Sequence, residues 1–322
     1  MRLKTLSPIH VGCGENYTAL DFCATDGQVL LLDGESIVAE LMRYGADAIK
    51  SIATGRKRVE DYIDPEEYCV RRLKLVGQVE NREIRRHIHT INGLYIPGSS
   101  IKGSIRTAVL WSMVNENRGL LNFAISLMEK ATKRKRITRD VLKKLDDNLE
   151  NRVFREGESK ATKDFMKGLI VGDCGFFTGA VYQIHVLGTN ISVAAECIEP
   201  NQMNEFELKF KGVDEELIRE SCRNFYRRVA EVELEYGYPD EKTCRFFRSV
   251  MGKAFPLRVG FGSGWYSTTI GTLLKEHPKF EHLRRKLGLG RNPRSRRLSR
   301  NFPATRRVTA DSYPLGWMEV DG

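Results

Sequence analysis

The chain has 322 residues, 41% of them hydrophobic, and carries a net charge of +10. That length supplies one large domain or two ordinary ones with real cores. No apolar run reaches the roughly 18 residues of a membrane span, the N-terminus lacks a signal-peptide stretch, and the seven cysteines show no C-x-x-C pair, which argues against a zinc knuckle or a disulfide framework.

The expectation is a cytoplasmic protein whose cysteines act as small buried apolar residues. Its charge is uneven. Ten basic residues and no Asp or Glu lie between Arg284 and Arg307, matching the whole excess. Shorter basic runs occur at 56–58, 82–86 and 133–136. Arginine-rich clusters favour a polyanionic partner, because the guanidinium fork binds phosphate bidentately and stacks on bases.

Residues 1–33 read as β, with a hairpin about Asp26-Gly27, the strongest short hairpin signal. Residues 35–75 read as helical and charged. At Leu94–Ile96 a short strand meets Pro97-Gly98, and Ser99 or Ser100 then caps a helix to about Asn117. Lys102 and Arg106 share one face of its first turns, where cations oppose the helix dipole. A docked anion removes that misfit, so Ser99, Ser100, Lys102 and Arg106 form a candidate phosphate site.

From 118 to 160 the chain reads as a charged helical lobe, inserted and exposed, with Leu142, Leu145 and Leu149 at helical spacing. Strands return at 166–173, 180–188, 191–200 and 205–210. Asp214 caps a long helix carrying Ile218, Cys222, Phe225, Val229 and Val232. "RVGFGSGW" then sets Gly260, Gly262, Ser263 and Gly264 in a loop spaced G-x-G-x-G, unlike a dinucleotide fingerprint. Three glycines in five residues cost conformational entropy. They are there because the backbone bends where no side chain fits, or because phosphate meets the backbone. Trp265 reads as core. The basic stretch, with Arg294, Arg296 and Arg297, and a last strand, "GWMEV", complete the chain.

Strands and helices in this order give an α+β class: two ferredoxin-like βαββαβ units, the topology of RNA-recognition modules. The division falls at 1–165 and 166–322, with helical insertions at about 35–92 and 118–160. No catalytic constellation or metal set emerges, and no cofactor is expected. The weak alternative is metal-independent RNA cleavage by His87 and His89, one as base and one as acid.

Three stretches together, "LSPIHVGCGENY", "YIPGSSIKGSIRTAVL" and "RVGFGSGW", resemble the RAMP superfamily of CRISPR-associated proteins. With the ending "YPLGWMEV" they are most similar to the subunit family that ends the backbone filament of type III-A effector complexes. The resemblance implies a non-catalytic subunit that holds the 3′ part of the CRISPR RNA. Its partners would be that RNA, a neighbouring RAMP backbone subunit, the small helical subunit, and nucleases that mature the guide's 3′ end; no membrane is implied. Asp21 falls where such filaments carry a cleaving aspartate, in a different local pattern, and His10 reads as structural. The glycine loop and the helix start at 99–106 would then both grip phosphates without regard to sequence.

Overall fold

The computed structural model describes residues 1–80, 82–134, 136–155, 161–292 and 295–321. Arg294 lies outside the described residues. Residues 179–198 form two long strands, Gly179–Leu187 and Ile191–Ile198, paired antiparallel from Gly179↔Ile198 to Val186↔Ile191 and buried on both faces over much of their length. Side chains of successive residues point to opposite faces. Ala180, Tyr182, Ile184, Ala195 and Cys197 therefore join one buried cluster, and Val181 and Ala194 another.

Around this pair an eight-stranded mixed sheet forms among the described residues. In order it runs Gly12–Tyr17, Ile84–His87, Ile191–Ile198, Gly179–Leu187, Cys69–Val76, Gln28–Leu32, Phe22–Thr25; Arg306–Thr309 also pairs with Gly179–Leu187. The hairpin about Asp26-Gly27 is present, with Gly27 at φ 78°. The helical expectation for 35–75 holds only for Gly34–Leu41 and Ala46–Ala53, with short 3₁₀ turns beyond. Cys69–Val76 is instead a strand, parallel to Gly179–Leu187 and antiparallel to Gln28–Leu32. Its Arg71, Arg72 and Lys74 make it look like a charged helix, but Leu73 between them is buried under the sheet.

A second sheet is antiparallel, in the order Met203–Glu205, Arg2–Thr5, Trp317–Asp321, Pro256–Arg258. The first and last strands of the chain are neighbours, Arg2↔Asp321 to Thr5↔Met318. Helices Gly98–Glu116 and Glu215–Leu234 share its core, which runs from Leu3 to Val320. Asp214 caps the second helix by accepting from the N–H groups of Glu216 and Leu217. Its predicted stripe of Ile218, Cys222, Phe225, Val229 and Val232 is buried, each large side chain contributing about 1.5–3 kcal/mol.

One further expectation is corrected. Helices Arg118–Thr132 and Arg139–Phe154 are not a free lobe: Leu149, Val153 and Phe154 are buried in the main core. The basic stretch is built into the fold, since Arg284 on helix Phe280–Leu287 and Arg306 on strand Arg306–Thr309 are both buried. The cysteines are all free thiols; Cys23, Cys174, Cys197 and Cys222 are buried, Cys69 and Cys244 half-buried, and Cys13 is exposed. No described helix is long and apolar enough to cross a membrane.

Candidate nucleic-acid interface

The helix start and the glycine loop owe their shape to different neighbours. The helix begins after Pro97 with no side-chain cap; Ser99 is exposed and Ser100 half-buried. The Gly98 N–H donates to Asp173 Oδ1 at 2.7 Å, so a carboxylate of the chain itself sits at the helix N-terminus, where the dipole favours it. Lys102 Nζ donates to the Leu169 carbonyl at 2.6 Å. Arg106 forks onto Asp164 at 3.1 and 2.8 Å, reaches Glu150 at 2.9 Å, and lies 3.9 Å over the Phe154 ring. Burial opposes the Arg106 charge, but the bonds to Asp164 and Glu150 outweigh it and raise its pKa. The anions that the two cations imply are thus supplied by residues 150 to 173.

The loop follows strand Pro256–Arg258. Gly260 has φ 73°, and a Cβ there would lie 2.2 Å from the His10 carbonyl oxygen. The next N–H, of Phe261, donates to that same carbonyl at 2.8 Å. A Cβ on Gly262 would meet the Leu315 side chain at 2.9 Å. Gly264, at φ 73°, has nothing within 4 Å of its missing Cβ and is exposed. Ser263 is buried, its hydroxyl donating to the Gly260 carbonyl at 2.8 Å. Beneath the loop the buried Arg258 donates to the carbonyls of Gly262 and Leu315, each at 3.0 Å, and to the Ser267 hydroxyl at 3.1 Å. Glu233 faces Arg258 at 3.7 Å and also bonds Arg306. Trp265 packs on Phe280 and Phe302, with centroids 5.7 and 4.7 Å away, as core.

Phe261, the one large side chain between the glycines, carries the unexpected geometry. Arg85, on strand Ile84–His87, stands 4.4 Å from its ring centroid, and Arg307, on strand Arg306–Thr309, stands 4.8 Å away. Among the described residues neither guanidinium has a carboxylate partner, and Arg307 Nε is buried with no hydrogen-bond acceptor. Burial and the nearby Arg85 charge lower the Arg307 pKa. Each guanidinium is drawn to the ring, but the two like charges repel each other, and a counter-anion would relieve that repulsion. Beside them opens a cavity of about 330 Å³, lined by His10, Gly12, Asn16, Arg85 and Arg86 among others. Arg86 Nε is a second buried nitrogen without an acceptor. The basic runs at 82–86 and 284–307 hint at these residues, but not that two strands distant in sequence aim them at Phe261.

One histidine of the candidate pair, His87, has other work. His87 is fully buried; its Nδ1 accepts from the Val11 N–H at 3.0 Å and its Nε2 donates to the Tyr95 carbonyl at 3.0 Å. Burial, with the neighbouring His10 and His89, pushes its pKa down to about 3. Both nitrogens are spent, which removes it as the acid or base of a cleavage reaction. His10 is buried too, its Nδ1 donating to the Glu196 carbonyl at 2.7 Å. Asp21 accepts from the Thr18 N–H and hydroxyl at 2.6 and 2.7 Å, closing its own turn.

The RAMP superfamily profile matches residues 2–236. The chain belongs to the RAMP superfamily. Within the RAMP proteins it is similar to the CRISPR system Cms protein Csm5 of Methanocaldococcus jannaschii, at 25% identity over 99% of this chain and 88% of that one. A chain in a cryo-EM structure of a Csm-crRNA-target RNA ternary complex of a type III-A CRISPR-Cas system superposes with TM-score 0.77 and 28% identity, over 99% of both chains. The crystal structure of T. onnurineus Csm5 superposes with TM-score 0.71 and 26% identity, over 99% of this chain and all of that one.

Proposed function

We propose that this chain is a non-catalytic subunit of a type III-A CRISPR ribonucleoprotein, holding the 3′ part of the CRISPR RNA where the backbone filament ends. It works in the cytoplasm beside a RAMP backbone subunit and the small helical subunit, and aids 3′-end maturation by admitting nucleases rather than cutting. Its layout is that of two ferredoxin-like units meeting near residue 165, tied by the pairing of the first and last strands.

The carrying observation is that Arg85 and Arg307 both stand against the Phe261 ring with no carboxylate partner among the described residues. A phosphate between them supplies the missing anion, and the ring edge and adjoining cavity accept a base without reading it. Gly260, Gly262 and Ser263 hold Phe261 in place, Gly264 leaves its backbone open to a phosphate, and Ser99 and Ser100 stay free to meet the strand. Lys102 and Arg106 serve the helix start instead. Salt-series RNA binding with Arg85→Ala and Arg307→Ala tests this. Loss of one phosphate contact should flatten log K against log salt by about 0.7 per contact, equally for unrelated sequences. Unchanged affinity in both variants overturns it; discrete cleavage products would restore the nuclease reading.

A further inference from the structure

Two basic runs far apart in the sequence are left unused by that site, and the fold puts them on one lobe. Helices Arg118–Thr132, Arg139–Phe154 and Phe280–Leu287 close over a shared cluster of Ile125, Met128, Ala131, Phe280, Leu283 and Leu287. Leu142, Leu145, Leu289 and Phe302 pack against it. Lys279 Nζ to Glu129 at 2.8 Å ties the first helix to the third. The buried Arg284 then pins the following loop, donating to the Leu289 and Ser299 carbonyls at 3.1 Å each and lying over Phe302. Hydrophobic packing and one buried arginine thereby set Lys133, Arg134 and Arg136 on the same lobe as Arg296, Arg297 and Arg300.

All six side chains are exposed, and among the described residues none of them makes an ion pair; the Glu129 carboxylate, held by Lys279, also feels the Lys133 charge. Their concentration raises a strong local positive potential. The surface also lacks what a protein partner would need. The exposed large hydrophobics are Val38, Met42, Tyr44, Val70, Ile91, Phe176, Ile191 and Met203, none of them on this lobe. Protein interfaces centre on apolar and aromatic anchors. Nucleic-acid interfaces are polar, wet and strongly positive.

We propose that this lobe is a second RNA surface, binding the phosphate backbone of a stretch separate from the one held at Phe261. It depends on the reading above only in taking RNA as the polyanion. The lobe needs no base contact, so it is indifferent to sequence and its whole affinity is salt-dependent.

The test uses the full chain with oligouridylates of about 8 and about 30 nucleotides, since one binding fold covers roughly 4–16. Two triple variants, Lys133→Gln/Arg134→Gln/Arg136→Gln and Arg296→Gln/Arg297→Gln/Arg300→Gln, are compared with Arg85→Ala/Arg307→Ala. The lobe variants should lose long-RNA affinity, with the salt slope falling by about 2 for three contacts, and keep short-RNA affinity. The Arg85/Arg307 variant should lose the short RNA. Unchanged long-RNA binding and slope in both lobe variants overturns the proposal. So does tighter binding of polyglutamate than of RNA, which assigns the lobe to an acidic protein. If the lobe variants weaken long RNA while Arg85→Ala/Arg307→Ala leaves the short RNA bound, the lobe stands and the Phe261 site falls. Thermal melts confirm folding, and single Lys133→Gln and Arg297→Gln changes replace any triple variant that does not fold.

Discussion

Gly260→Ala separates a glycine kept for packing from one kept for a ligand. The added Cβ lands 2.2 Å from the His10 carbonyl oxygen, about an ångström inside any tolerated contact, and backbone cannot swing aside as a side chain does. The left-handed φ of 73° costs an alanine about 1–2 kcal/mol. Pushing the His10 strand away strains the Phe261 N–H bond to that carbonyl, a further ~1 kcal/mol. Overpacking a tight site adds about 1–3 kcal/mol, giving a total of roughly 3–6 kcal/mol. Gly264→Ala is the internal control: φ is again 73°, but the space is open, so it carries only the conformational cost of about 1–2 kcal/mol. Urea unfolding followed by tryptophan fluorescence reads the difference as a larger fall in midpoint for Gly260→Ala. Equal losses in the two variants would refute the packing argument and return Gly260 to the role of a phosphate-facing backbone position.

Two other outcomes are expected. Arg106→Met should destabilise the chain by about 1–3 kcal/mol, because the largely buried Asp164 loses its bidentate partner and keeps only Arg155 and the Met166 N–H, yet leave RNA affinity per folded molecule unchanged; a selective affinity loss would put Arg106 on the ligand. Stability should also fall as pH drops from 6.5 towards 3, because His87 stays neutral in the fold down to about 3 while the unfolded chain takes up its proton near 6.5. The sign is that of a depressed base: the contribution is full above 6.5, and about 2 kcal/mol is lost by pH 5. His87→Asn should remove that share of the slope in melts across this range, and an unaltered slope would contradict it.

Local chemistry announces several elements. Asp26-Gly27 needs only its own backbone to turn, Asp214 needs only the two N–H groups beyond it, and the stripe from Ile218 to Val232 follows from helical geometry alone. Other features depend on partners far along the chain. Cys69–Val76 becomes a strand because two neighbours claim its backbone, whatever its charged residues prefer. Arg106 looked like half of a phosphate grip because Asp164 is 58 residues away, and Gly260 is explained by a carbonyl at position 10. Arg85, Phe261 and Arg307 converge only when three separate segments are placed on one face. Propensity and capping act within a few residues and are written in the sequence. Charge pairing, close backbone approach and the meeting of basic runs act through space, and tertiary packing alone decides them.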